Sequence, residues 1–168
     1  MKELINLLLV DDSQEFAETV AELLEAEAFS VKVAPDIKTA QDLMNNYDID
    51  AVLCDYHMPD GNGLQLLKTI RSEGKLTPFI LLSGNLTFDI ILTSAQLGIF
   101  DVFEKPISFD KLKSTTMQAI NYGIHLRSLI ENMNKNLPEP KIKQASSQLA
   151  TLAKIRAFNY ESKKAKPT

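Results

Sequence analysis

Three short runs in this chain are almost wholly apolar, and each stops at a polar residue: Leu4–Val10 before Asp11, Ala51–Cys54 before Asp55, and Phe79–Leu82 before Ser83. Apolar runs that do not alternate are the pattern of strands covered on both faces. Such strands need helices above and below them, which favours a parallel sheet over a half-exposed antiparallel one. The segments between the runs supply those helices. Phe16, Val20, Leu23 and Leu24 recur at helical spacing behind Ser13, a candidate N-cap. Ala40, Leu43, Met44 and Tyr47 mark a second helix, Leu64, Leu67 and Ile70 a third, and Ile91, Leu92 and Ala95 a fourth. Val31 and Val33, alternating with polar neighbours, and Val102-Phe103 read as two shorter strands. A long fifth helix starts at Phe109 and reads Leu112, Thr116, Ala119, Ile120, Gly123 and Leu126.

Strand and helix therefore alternate five times. Right-handed crossovers then give an α/β, doubly wound, five-stranded parallel sheet with strand order 2-1-3-4-5, the flavodoxin-like arrangement. There, ligands bind outside the carboxyl ends of the strands, at the switch point between strands 1 and 3. With 168 residues the chain can hold one full core and an appendage, not two full domains. The expected division is a domain over 1–125 and a helical extension with a basic tail over 126–168.

Hydrophobic residues make up 45% of the chain, enough for a core, yet no apolar run is long enough to span a bilayer. No secretory leader opens the sequence, and the single cysteine, Cys54, leaves no intramolecular disulfide to form. A cytoplasmic protein without a membrane partner is expected. The net charge of −4 is unevenly spread. Residues 141–168 carry seven Lys and Arg against Glu161 alone, so an acidic body of net −10 precedes a tail of net +6.

The polar residues gather where the topology puts a ligand. Asp11 and Asp12 close the first strand, Asp55 the third, Ser83 the fourth and Lys105 the fifth. Three carboxylates in one shallow pocket need a cation, and hard oxygen donors select Mg²⁺. A hydroxyl and an ammonium suit the remaining oxygens of a phosphoryl group, which leaves Asp55 as the nucleophile that becomes an acyl phosphate.

Four stretches carry a resemblance. Leu8-Leu9-Val10-Asp11-Asp12, Asp55-Tyr56-His57-Met58-Pro59-Asp60-Gly61-Asn62-Gly63, Leu82-Ser83-Gly84 and Glu104-Lys105-Pro106 resemble, in order and spacing, the signatures of bacterial response-regulator receiver domains over about residues 4–125. The resemblance implies a phosphoacceptor at Asp55 assisted by Ser83 and Lys105. It also implies Mg²⁺ held by Asp12, by Asp11 mainly through water, by Asp55 and by the backbone carbonyl of His57. It implies a cis Lys105-Pro106 bond, a histidine kinase or histidine phosphotransfer protein as donor, and a downstream protein partner that the sequence does not name. Receivers usually carry Tyr or Phe three residues before the lysine, and it rotates inward on phosphorylation. Val102 stands there, so the chain departs from the family pattern at the aromatic switch but not at the residues of the phosphoryl chemistry.

Blander readings compete at single residues. Asp11-Asp12 alone would serve as a helix cap, and Asp60-Gly61 as a turn. Cys54 points away from Asp55 on its strand and reads as a small buried hydrophobe. His57 reads as a loop residue, and His125 is a lone helical histidine without a bundle of its own. Three other functions compete for the whole chain. A receiver fold kept only for contact would have lost some of Asp12, Asp55, Ser83 and Lys105. A haloacid-dehalogenase-type phosphatase needs a second Asp where His57 stands. A DNA-binding output domain is hard to fit after residue 125, where Pro138 and Pro140 interrupt the chain. The expectation is a signalling domain, not an enzyme beyond its own phosphoryl transfer and hydrolysis, acting through protein contact.

The fifth helix carries an apolar stripe past the sheet, through Leu126, Leu129, Ile130 and Met133, until Asn136 and Pro138. Beyond Pro140, Ile142, Ala145, Leu149, Leu152 and Ile155 recur at three- and four-residue spacing. Residues 126–160 are expected to form a helical hairpin that folds on itself, forms a homodimer or binds a partner. Lys163, Lys164 and Lys166 are too short a basic end to argue for nucleic acid.

Overall fold

The computed structural model describes residues 5–136, with side chains through Met133. The elements are β1 (Ile5–Val10), α1 (Gln14–Glu25), β2 (Phe29–Ala34), α2 (Ile37–Asn46), β3 (Ala51–Asp55), β4 (His57–Met58), β5 (Gly61–Asn62), α3 (Gly63–Ser72), β6 (Phe79–Ser83), α4 (Phe88–Gln96), β7 (Asp101–Glu104) and α5 (Phe109–Asn136). Five strands pair in parallel in the order β2-β1-β3-β6-β7. Counted within that sheet, this is the expected 2-1-3-4-5. The antiparallel β4–β5 hairpin, two residues a side, was not anticipated from a loop broken by Pro59, Gly61 and Gly63.

Strand periodicity divides the core into two halves. Leu8, Val10, Val52, Cys54, Phe79 and Leu81 face α2, α3 and α4. Leu7, Leu9, Leu53, Ile80 and Leu82 face α1 and α5. Most of these side chains are fully buried, and each such burial contributes about 1.5–3 kcal/mol before conformational entropy is counted. The first helix begins as its sequence directs, with Ser13 Oγ accepting from Phe16 N.

Two local outcomes differ from the sequence reading. On α4 the inward residues are Ile90, Ser94 and Ala95, while Leu92 is exposed. Three consecutive apolar residues on a short helix leave its register ambiguous, and the small Ser94 and Ala95 let it approach the sheet closely. Asp60 is more than a turn residue. Its two carboxylate oxygens accept from Ile37 N and Lys38 N at 2.9 and 3.1 Å, so it caps α2 across 23 residues of sequence.

Helix α5 runs past the sheet to Asn136, as its apolar pattern indicates. It crosses the sheet closely at Gly123, where an added Cβ would lie 2.9 Å from Pro78 Cγ. Among the described residues no helix is long and apolar enough to cross a membrane. The expected second amphipathic helix, the hairpin it would complete and the basic end lie outside the described residues.

Candidate functional site

The carboxyl ends of β1, β3, β6 and β7 each deliver a polar residue to one end of the sheet. Parallel pairing aligns these ends: Val10 stands opposite Cys54, Asp55 opposite Leu82, and Ser83 opposite Glu104. Asp11, Asp12 and Asp55 each place a carboxylate oxygen within 4.8 Å of the other two. Asp11 is buried, Asp12 exposed, and the Asp55 side chain 13% exposed. Lys105 Nζ donates to Asp11 Oδ2 at 2.7 Å and lies 3.3 Å from Asp55 Oδ2. Asp11 Oδ1 accepts from Ser13 N at 2.9 Å, which ties the start of α1 to the site. The Lys105-Pro106 bond is cis, as the resemblance implied.

Ser83 is fully buried at the adjoining strand end. Its hydroxyl donates to Asn85 O at 2.9 Å and accepts from Asn85 N at 3.2 Å, so it is engaged with the loop before α4. His57 is exposed in β4, its ring edge-on to Tyr56. With Asn85, Thr87 and Ile90 these two rings line a cavity of about 420 Å³ beside the carboxylates. Val102 is buried in the core, so no aromatic side chain occupies that position.

Burial raises the Asp55 carboxyl above the ordinary carboxylate range, against the pull of Lys105 and with a further push from Asp11. Burial alone would lower the Lys105 ammonium, but the hydrogen bond and charge of Asp11, with the charge of Asp55, leave it raised. Burial, then Asp55 and Asp11, push the Cys54 thiol up, in keeping with an inert hydrophobe.

Asp55 Oδ1 is buried and has no hydrogen-bond partner among the described residues. An ionised oxygen in that position is costly unless a cation or donor meets it. Together with the carboxylates of Asp11 and Asp12, Asp55 forms an all-oxygen donor set open on the Asp12 side, which fits Mg²⁺.

Two contributors escaped the sequence reading. The Phe16 ring centroid lies 4.4 Å from Lys105 Nζ, within cation–π range. Phe16 lies in the first turn of α1, 89 residues before Lys105, and no local spacing signals that contact. Gly63 opens α3 directly beneath the acceptor, where an added Cβ would meet the Asp55 carbonyl oxygen at 2.6 Å and Leu81 Cδ1 at 2.8 Å.

A family model described as the response regulator receiver domain matches residues 7–117. A putative NtrX-like response regulator of Rickettsia bellii is 32% identical over 111 residues, covering 65% of this chain and 23% of that protein. The transcriptional regulatory protein CpxR of Escherichia coli is 33% identical over 132 residues, covering 79% of this chain and 56% of its own length. The chain thus spans between about a quarter and just over half of these two relatives. The crystal structure of a response regulator receiver domain protein from Clostridium thermocellum superposes with a TM-score of 0.68 at 26% identity, covering 73% of this chain and 99% of that one. The acidic cluster and lysine at the sheet's carboxyl end stand inside the matched segment, and the chain belongs to the response regulator receiver domain family of two-component systems.

Proposed function

We propose that this chain accepts a phosphoryl group on Asp55 and relays that event by protein contact. The carrying observation is the buried, unpartnered Asp55 Oδ1 beside two further carboxylates and Lys105. The donor is a histidine kinase or a histidine phosphotransfer protein. One Asp55 carboxylate oxygen attacks phosphorus, the bond from phosphorus to the donor breaks, and the donor leaves with its electron pair. Asp12 and Asp55, the backbone carbonyl of His57, and Asp11 through water would hold Mg²⁺. Bound there, the ion offsets the charge of the carboxylates and of the incoming phosphoryl oxygens. Lys105 is tethered within reach of both Asp11 and Asp55 and meets a phosphoryl oxygen with its ammonium. Ser83 supplies the hydroxyl that reports the new group, by exchanging its bond to Asn85 for one to the phosphoryl oxygen.

Residues 1–125 form the receiver on this reading, and residues 126–168 a helical extension and basic tail. Leu129, on the part of α5 beyond the sheet, is exposed and available for protein contact. The test is labelling with acetyl phosphate and Mg²⁺, followed by intact-mass analysis. One phosphoryl group is expected on the wild type and none on Asp55→Asn. Equal labelling of the two proteins rejects the assignment.

A further inference from the structure

The opposite end of the sheet holds a groove that the phosphoryl chemistry does not use. It has a volume of about 490 Å³, and its apolar lining is Ile49, Leu76, Pro78, Leu126 and Ile130. Its walls are firmly held. Arg71 donates to the carbonyls of Leu97, Lys75, Thr77 and Gly98, which fixes the turn after α3. Asp50 accepts from Asn6 N with one carboxylate oxygen and from Arg127 with the other, which fixes α5 to the start of β3. A groove with a rigid floor and an apolar lining gains by being covered.

We infer that the groove is the docking site of the chain's own segment 142–155. Two observations single out this occupant. First, reach: the fourteen residues from Gly123 to Asn136 span about 20 Å of α5, and a fourteen-residue segment returning as a helix covers about the same length. Second, pattern: Ile142, Ala145, Leu149, Leu152 and Ile155 recur at three- and four-residue spacing, one apolar face if helical. A helix laid with its apolar face in the groove turns Lys143 and Lys154 to its opposite side, toward solvent. This docking is independent of Asp55 chemistry. It gives the receiver a self-held segment at the end of the sheet remote from the acceptor.

The test uses the full chain. Hydrogen exchange is compared between wild type and the double variant Leu149→Asp, Leu152→Asp, which leaves the body untouched. Amides of 74–77 and 124–133 are expected to exchange about tenfold faster in the variant. In parallel, Ile130→Cys is combined in turn with Ala145→Cys, Leu149→Cys and Leu152→Cys under mild oxidation; buried Cys54 stays out of the reaction. At least one pair is expected to give a monomeric, internally crosslinked species. Crosslinks that run only as covalent dimers assign the groove to a second copy and overturn the proposal. Unchanged exchange together with no crosslink at any of the three positions overturns it as well.

Discussion

Asp55 and Asp50 stand at opposite ends of β3, one closing it and the other just before it, and they are treated in opposite ways. Asp50 has a donor on each carboxylate oxygen, Asn6 N on one and Arg127 on the other. Asp55 has Lys105 near one oxygen and, among the described residues, no partner on the buried other. Cations differ likewise between the two ends. Arg71 spreads its guanidinium over four carbonyls at the amino end, whereas Lys105 at the carboxyl end bridges two carboxylates under a phenyl ring. Burial lowers the Arg71 guanidinium to about 10, still protonated at neutral pH. A satisfied end stabilises the fold, while an end with an unmet polar atom holds a place for a ligand.

Asp55→Asn should separate the two ends most sharply. Labelling falls to background, yet the urea midpoint without Mg²⁺ is expected to equal or exceed that of the wild type, because a desolvated charge is removed. A midpoint well below the wild type would mean that Asp55 stabilises the fold as Asp50 does. Arg71→Met should do the reverse. Four carbonyl oxygens lose their donor, and the expected loss is about 3 kcal/mol in urea unfolding, with acetyl phosphate labelling preserved in the folded protein. A loss under about 1 kcal/mol would show that water replaces the guanidinium.

Within the carboxyl end, Asp12→Ala should weaken Mg²⁺ roughly a hundredfold, and Ser83→Ala hardly at all, as read by metal titration. Equal affinities in the two variants would remove Asp12 from the metal site. Phe16→Leu keeps the bulk near Lys105 but loses the ring's negative face. It should slow acetyl phosphate labelling about threefold to tenfold, with Phe16→Tyr close to wild type. The same rate in both variants would reduce the ring to packing.

The smallest effect concerns Asp36, a carboxylate at the same end as Asp55 but engaged as a helix cap. It accepts from Thr39 N at 2.6 Å as the N-cap of α2, and that bond lowers its carboxyl below the ordinary value. A lowered carboxyl stabilises the fold above its unfolded pKa, near 3.8, and that contribution fades as pH falls through the folded value. The wild-type advantage over Asp36→Ala in urea should therefore be full at pH 7 and shrink in acid below that ordinary value. An advantage that does not change with pH would place it in the packing of α2 and not in the carboxylate.

The sequence by itself determined the sheet and which polar residues gather at its carboxyl end. Non-alternating runs that end at Asp11, Asp55 and Ser83 specify buried parallel strands, and in a parallel sheet all carboxyl ends lie on one side. The collection of the acidic cluster at one end followed from chain direction alone. Tertiary structure decided what depends on rotation and distance. Whether α4 turns Ile90 or Leu92 inward is settled by packing against β6, since three adjacent apolar residues carry no phase. That Asp60 caps α2, and that Asp50 joins Asn6, 44 residues before it, to Arg127, 77 residues after it, are contacts between remote segments with no local signature. The state of Ser83 was equally out of reach, because its type marks a hydroxyl at the site but only the fold of the following loop turns it to Asn85. Periodicity reports which residues are apolar and how they are spaced; the partner of a polar atom depends on how separate elements meet in space, and a single sequence does not carry that distance.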